Sequence, residues 1–327
     1  MKIRALYVTM AIGVISFLLP WGAAGAAGFP EKPVELLVGW GVGSVNDTLD
    51  RVIAKPLSKI LNQPVIIQNV PGAAGALVLG RIKSGKLNDG YSVFQTMRSV
   101  YSLTPWTRTV PYDPLKDFAY VAQHATLTNY LLTGKESPWK NFEELIQYVK
   151  KNPKKVKYST TGVGSEQHLM MEYLAMKEGL QWIHVPFLTG PEAYTAVLGG
   201  HVDIGSMALA AEREYIITGQ LRPLLVYDAK RNPLLPDVPT ILEKGYDFSA
   251  NDSYVWTVPA DTPKEIQKIL EKAFLQAFAD DEVKKVLNKA NKTYDPVGSE
   301  ALTKKVFTEH QQIGEIIKTV GRNAFNK

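Results

Sequence analysis

The chain has 327 residues, 45% of them hydrophobic and 21% charged, with 37 Lys and Arg against 32 Asp and Glu for a formal charge of +5. That length exceeds what one hydrophobic core ordinarily fills, so two domains are expected, and the balanced composition excludes disorder and coiled coil. The mild positive excess calls for no nucleic-acid partner and suits an anionic solute. With no cysteine there are no disulfides, and no lipid can be carried on an N-terminal Cys.

Residues 1–27 read as a secretory signal peptide. Lys2 and Arg4 precede the uncharged, mostly apolar run Ala5–Trp21, and the small residues Ala23 to Ala27 follow, with cleavage expected after Ala26 or Ala27. The run is at the short limit of a membrane span, and no later segment is long and apolar enough to cross a bilayer. The implied location is the periplasm.

The mature part alternates short apolar runs with helical periodicity, the signature of α/β architecture. Val34–Val38 predicts a buried strand, then the turn Gly41-Val42-Gly43-Ser44 and a helix over 45–61. Ser44 and Asp47 stand at capping-box spacing, and Pro56 predicts a kink or an early end. Strands are expected over 64–68 and 91–95, with a second glycine turn over Asn69 to Gly75 between them. A helix follows over 142–151, capped by Asn141, then a strand over 155–160, the turn Gly162-Val163-Gly164-Ser165 and a helix to Lys177. Thr262-Pro263-Lys264-Glu265 predicts a helix start with Thr262 as cap. Ile266, Ile269, Leu270, Ala273, Phe274, Ala277 and Phe278 continue it at helical spacing, and a last helix is expected over 299–320.

The tetrapeptide Gly-Val-Gly-Ser therefore recurs, each time between a strand and a helix. A glycine turn before a helix N-terminus lets an anion approach unpaired N–H groups. Three such turns, at 41–44, 72–75 and 162–165, suggest a site for a carboxylate at the carboxyl ends of the strands. Nucleotide cradles fail. Gly80 to Leu87 has P-loop spacing but Leu87 where Ser or Thr is needed, and Asn46 and Gln167 replace the third glycine of a dinucleotide fingerprint. Ser165, His168 and Asp203 have the residue types of a hydrolytic triad. Ser165 stands three residues before His168 at a helix start, where its oxygen is expected to cap the helix. The five histidines form no ligand pair, so neither a metal nor a cofactor is expected.

Several blocks then resemble the solute receptors of tripartite tricarboxylate transporters, the Bug or TctC family. They include Gln63-Pro-Val-Ile-Ile-Gln-Asn-Val-Pro-Gly-Ala-Ala-Gly75, Asp89-Gly-Tyr91, Pro111-Tyr-Asp-Pro-Leu-Lys-Asp-Phe118, Gly164-Ser-Glu-Gln-His-Leu169, His184-Val-Pro186, Gly199-Gly-His-Val-Asp203 and Leu235-Pro-Asp-Val-Pro-Thr240. The resemblance implies a type II-like periplasmic binding protein, a Venus flytrap of two α/β domains joined by a hinge. Domain one would be 28–127 with 251–327, and domain two 128–250. It implies that Trp40, Val42, Gly43, Ser44, Asp47, Asn69, Gly72 and Ala73 face the ligand from domain one. Thr160, Thr161, Gly162, Gly164, Ser165, His168, Phe187 and Asp203 would face it from domain two. Val42-Gly43-Ser44 replaces the family's Pro-Gly-Gly, Trp40 replaces Phe, and Leu188 stands where Lys is common. These departures leave room for an aromatic acid beside di- and tricarboxylates. The implied partners are a small carboxylate and the membrane permease subunits of the transporter, with the receptor itself a monomer and not an enzyme. A sensory receptor for a membrane kinase, and a secreted hydrolase using Ser165, are the alternatives.

Overall fold

The computed structural model describes residues 28–72, 75–84, 87–208, 213–232 and 235–325. The expected signal peptide over 1–27 and the site candidate Ala73 lie outside the described residues. No helix among the described residues is long and apolar enough to cross a membrane.

Two sheets organise the chain, each the centre of one lobe. The first holds β1 (Val34–Val38), β2 (Val65–Asn69), β3 (Ser92–Met97), β4 (Phe118–Leu127), β10 (Asp252–Pro259) and β11 (Thr293–Gly298), in the order β11-β4-β10-β3-β1-β2. β1 runs parallel to β2 and β3, while β10 runs antiparallel to β3 and β4. The second sheet holds β5 (Asn129–Gly134), β6 (Lys157–Thr160), β7 (Ile183–Pro186), β8 (Ile204–Ala208) and β9 (Leu221–Val226), in the order β7-β6-β8-β5-β9. β6 is parallel to both β7 and β8. Leu36, Val38, Val93, Tyr254 and Trp256 pack beneath α1 (Val45–Leu61) and α9 (Lys264–Phe278) in the first lobe. Leu131, Tyr158 and Ile204 pack against α5 (Phe142–Lys151) and α6 (Glu166–Glu178) in the second.

The chain passes between sheets at Thr128, the single residue between β4 and β5, and returns at Asn251 just before β10. The amide of Tyr227 donates to the Asn129 carbonyl (3.0 Å), and that of Ala250 donates to the Tyr227 carbonyl (2.9 Å), tying the two passages together. α3 (Arg98–Ser102) begins where β3 ends, and five residues separate the end of β6 from the start of α6. Arg98 Nη2 lies 4.0 Å from Glu166 Oε1, so the carboxyl edges of the parallel strands of the two sheets face each other.

Three local expectations need correction. α1 continues through Pro56 to Leu61. Its face of Leu49, Ile53, Leu57 and Leu61 is buried, and that burial outweighs the hydrogen bond a proline removes. β6 begins at Lys157, not Lys155, because Lys154 adopts positive φ (59°) in a turn that hands its N–H to Gln181. Thr262 does not cap α9. The helix starts at Lys264 with Pro263 as its flanking residue, and the Thr262 carbonyl instead accepts from Gln267 Nε2 (2.7 Å).

Candidate functional site

The first turn is built by a glycine and fixed by a carboxylate. Gly43 has φ of 80°, and Ser44 N–H donates back to the Gly41 carbonyl (3.2 Å). Only glycine takes that φ without strain. Ser44 Oγ then accepts from Asp47 N–H (3.1 Å) as the cap of α1. Asp47 Oδ2 accepts from Gly43 N–H (2.8 Å) and from Arg51 Nε (3.1 Å), while Oδ1 accepts from Asn69 Nδ2 (2.7 Å). Asn69 also donates to the Trp40 carbonyl (3.0 Å) and accepts from Arg51 Nη2 (3.0 Å). Burial pushes the Asp47 carboxyl up, but the bonds from Arg51, Asn69 and Gly43 together hold it below the ordinary range. Trp40 is half-buried, with Nε1 donating to Gln95 Oε1. The Gly72 turn lies against this one, since a Cβ on Gly39 would stand 3.0 Å from Gly75 Cα.

The second turn has the same backbone and different supports. Gly164 has φ of 75°, Ser165 N–H donates to the Gly162 carbonyl (3.3 Å), and Ser165 Oγ accepts from His168 N–H (3.2 Å). Here the glycine amide is met by an imidazole: Gly164 N–H donates to His168 Nδ1 (3.2 Å). Thr160 Oγ1 accepts from Gly162 N–H (3.2 Å) and lies 2.7 Å from His184 Nε2. Tyr158, His184, His168 and Phe325 form a row of rings with centroids 4.8, 4.0 and 5.1 Å apart. Burial, then the neighbouring His168, lowers the pKa of His184 to about 4, so the ring is neutral at physiological pH. Thr161 Oγ1 bonds Gln167 Oε1 (3.0 Å), and Phe187 lies beside the turn with its carbonyl 3.8 Å from where a Gly162 Cβ would be.

Two sequence expectations change here. Five of the six glycine and serine amides of the two turns are not open donors. Gly43, Ser44, Gly162, Gly164 and Ser165 all bond within the protein, because a side chain four residues on, a carbonyl three back or, for Gly162, the Thr160 hydroxyl two back reaches them first. Among the amides left are the first two helical N–H groups of each helix, Val45 and Asn46, Glu166 and Gln167, for which the described residues provide no acceptor. Asp203 is not at the second turn. It precedes β8, its Oδ2 accepts from Lys157 N–H (2.7 Å), and Lys157 begins β6 whereas Thr160 ends it. Asp203 therefore sits at the opposite edge of the sheet. The hydrolytic relay is not assembled either: Ser165 Oγ donates to the Gly162 carbonyl (2.8 Å), and His168 Nδ1 is already an acceptor for Gly164.

Residues 49–322 match the family model described as the tripartite tricarboxylate transporter family receptor. The chain belongs to that family. It is 38% identical over 253 residues to the UPF0065 protein in the gbd 5′ region of Cupriavidus necator, covering 76% of each chain. A TctC solute-binding protein from Polaromonas superposes with a TM-score of 0.82 at 26% identity, covering 89% of this chain and 99% of that one. An R. palustris protein solved with adipate superposes at 0.71 and 26% identity, covering 90% and 98%. The two-lobed α/β fold is thus that of periplasmic binding proteins of this family.

This family member carries one feature that sequence reasoning missed, a buried ionic cluster behind the second turn. Arg98 pairs with Glu309 through Nε and through Nη2 (3.1 Å), and donates to the Asn251 carbonyl and to Ser253 Oγ (3.3 Å). Asp252 accepts from Ser99 N–H (3.0 Å), Ser99 Oγ (2.5 Å) and Ser253 N–H (2.9 Å). Glu309 and Lys305 come from α11 (Ser299–Val320), and Glu166 from the first position of α6. These residues are scattered along the chain with no shared spacing. The one available signal was an Arg directly after an apolar strand.

Proposed function

We propose that this chain is a periplasmic receptor that captures a small organic carboxylate between its lobes and delivers it to the permease subunits of a tripartite transporter. The signal-like N-terminus supports export. The observation that carries the reading is the pair of glycine turns at the facing sheet edges, each opening a helix whose first two N–H groups lack an acceptor. A helix N-terminus with free N–H groups favours a carboxylate on charge and on hydrogen bonding together. Lobe one would be 28–127 with 251–327 and lobe two 128–250, with the passages at Thr128 and Asn251 as the hinge. Closing the lobes excludes water and strengthens those bonds.

The lining favours an acid with an apolar body. Val42 is 77% exposed beside the first turn and Leu188 is 92% exposed beside the second. Segments 39–47, 160–168 and 184–190 contain no Lys or Arg to hold a third carboxylate. The adipate in the R. palustris relative has an apolar chain of this kind. Calorimetry with adipate, benzoate and citrate tests the reading. The expected result is binding at micromolar strength or better, about −8 kcal/mol, for adipate or benzoate and weaker binding of citrate. Failure of every acid in a wider panel to bind would overturn it. Turnover of an ester substrate that disappears in Ser165→Ala would replace it with a hydrolase.

A further inference from the structure

The cluster behind the second turn has more acid than base. Arg98, Glu166, Asp252 and Glu309 are all less than a tenth exposed, and Lys305 adjoins them on α11. Fully ionised, the three carboxylates would outnumber the two cations in a space closed to water. An uncompensated buried charge is costly enough that one carboxyl holds a proton instead.

Hydrogen bonding decides which one. Glu309 is engaged by the Arg98 guanidinium, and Asp252 accepts from three donors. Glu166 stands 4.0 Å from Arg98 and accepts from the neutral Asn129 Nδ2 at 2.8 Å, with Asn129 itself held by Gln167 Nε2 (2.8 Å). It is the least supported anion of the three, and it is also the first residue of the helix on which a carboxylate would dock.

We propose that Glu166 is the proton-binding group of this site, and that a carboxylate binds the second turn when Glu166 is in its acid form. The proposal rests on the reading of the turns as a carboxylate site. In the empty protein the positive end of α6 opposes that proton and leaves Glu166 only partly in its acid form. A bound carboxylate neutralises that helix end and adds a negative charge beside it, so the remaining ionised Glu166 takes up a proton from solvent and the group becomes a neutral acid. Burial first, then Asp252, raises the Glu166 pKa well above the ordinary carboxyl range, with Arg98 opposing, Glu309 adding and Lys305 opposing. Asp228 faces the same cluster and is occupied by Asn251 Nδ2 (2.6 Å).

The sign follows from linkage: a group that must be protonated for binding makes affinity fall as pH rises above its pKa, up to about tenfold per pH unit. The test titrates wild type and Glu166→Gln with adipate and with benzoate from about pH 6 to 9, in buffers of different ionisation enthalpy. The expected result is wild-type affinity that declines with pH and an enthalpy that depends on the buffer. In Glu166→Gln, whose amide resembles the acid, both dependences vanish while affinity is retained. Infrared spectra of the same two proteins, empty and loaded, add a second measurement: a carboxylic-acid carbonyl band that strengthens on loading in wild type and is missing in the variant. Wild-type binding with a flat pH profile and no such band would overturn the proposal. If no acid binds at any pH, the carboxylate reading itself fails, and an acid band in the empty wild-type protein, lost in Glu166→Gln, still reports where the proton sits.

Discussion

The two turns share a tetrapeptide, a positive-φ glycine and a serine cap, yet they are stiffened by different chemistry. In both, the side chain four residues after the second glycine accepts its N–H: Asp47 for Gly43 and His168 for Gly164. The first turn thus carries an ion pair at its base, with Arg51 partly in solvent. The second carries stacked imidazoles, with His184 neutral, and, deeper, the Arg98 cluster. Shape is therefore duplicated while electrostatics is not. In the proposed function an anion would meet a charge-compensated surface on one lobe and a proton-responsive one on the other.

Arginine substitutions should separate the two most widely. Arg98→Met strands buried carboxylates, so it should cost about 3–5 kcal/mol by urea unfolding. Arg51→Met breaks a half-exposed pair and should cost about 1 kcal/mol or less. Equal losses would mean that the second cluster is no more buried in its energetics than the first. Next in size are the glycine acceptors. Asp47→Ala and His168→Ala each leave a backbone N–H without its partner, at about 1–3 kcal/mol, with Asp47→Ala the larger because Asn69 and Arg51 lose a partner as well. A neutral result at either position would show that water substitutes freely there.

Ser44→Ala and Ser165→Ala remove equivalent caps and should each cost about 1 kcal/mol. A clearly larger loss at Ser165 would mark a role beyond capping. Acid titration gives a contrast of a different kind. The His184 pKa lies at about 4 in the folded protein against an ordinary 6.5, so the unfolded chain binds more protons between these values and stability falls as pH drops through that window. Asp47 is held below its ordinary 3.8, so its contribution is present above that value and is lost only as pH falls further. Glu166, Asp252 and Glu309, all raised, act with the opposite sign to His184. The contrast is therefore read as the difference between wild type and His184→Asn, which should appear between about pH 6.5 and 4 and nowhere else.

What the sequence revealed follows the range of the forces involved. β1, α5 and α11 have the residues expected, because alternation, helical period and the Asn141 cap are local. The repeated turn was legible for the same reason. The bonding of its amides was also present in the sequence as a shared offset, Gly43 to Asp47 and Gly164 to His168, but one offset joins two dissimilar residues. Asp203 was misplaced because a motif names a residue without saying which end of a strand it precedes. The union of Arg98, Glu166, Asp252 and Glu309 depends on two lobes meeting, which no periodicity encodes. Pro56 shows the converse, a strong local signal overruled by a buried helix face.

Helix α11 is fastened at both ends to different bodies. Leu302 and Val306 lie in the buried cluster of Tyr101 and Tyr120 in the first lobe, whereas Ile313, Ile316 and Ile317 lie with Leu169, Met170 and Leu174 of the second. The proposed clamshell closure would then flex this rod or slide its far half over α6. In that far half, Gly314 lets the rod rest on the indole of Trp106, where a single methyl would come within 2.4 Å of the ring. A side chain placed there would act as a wedge, prising the rod off its bearing and biasing the clamshell without touching either glycine turn.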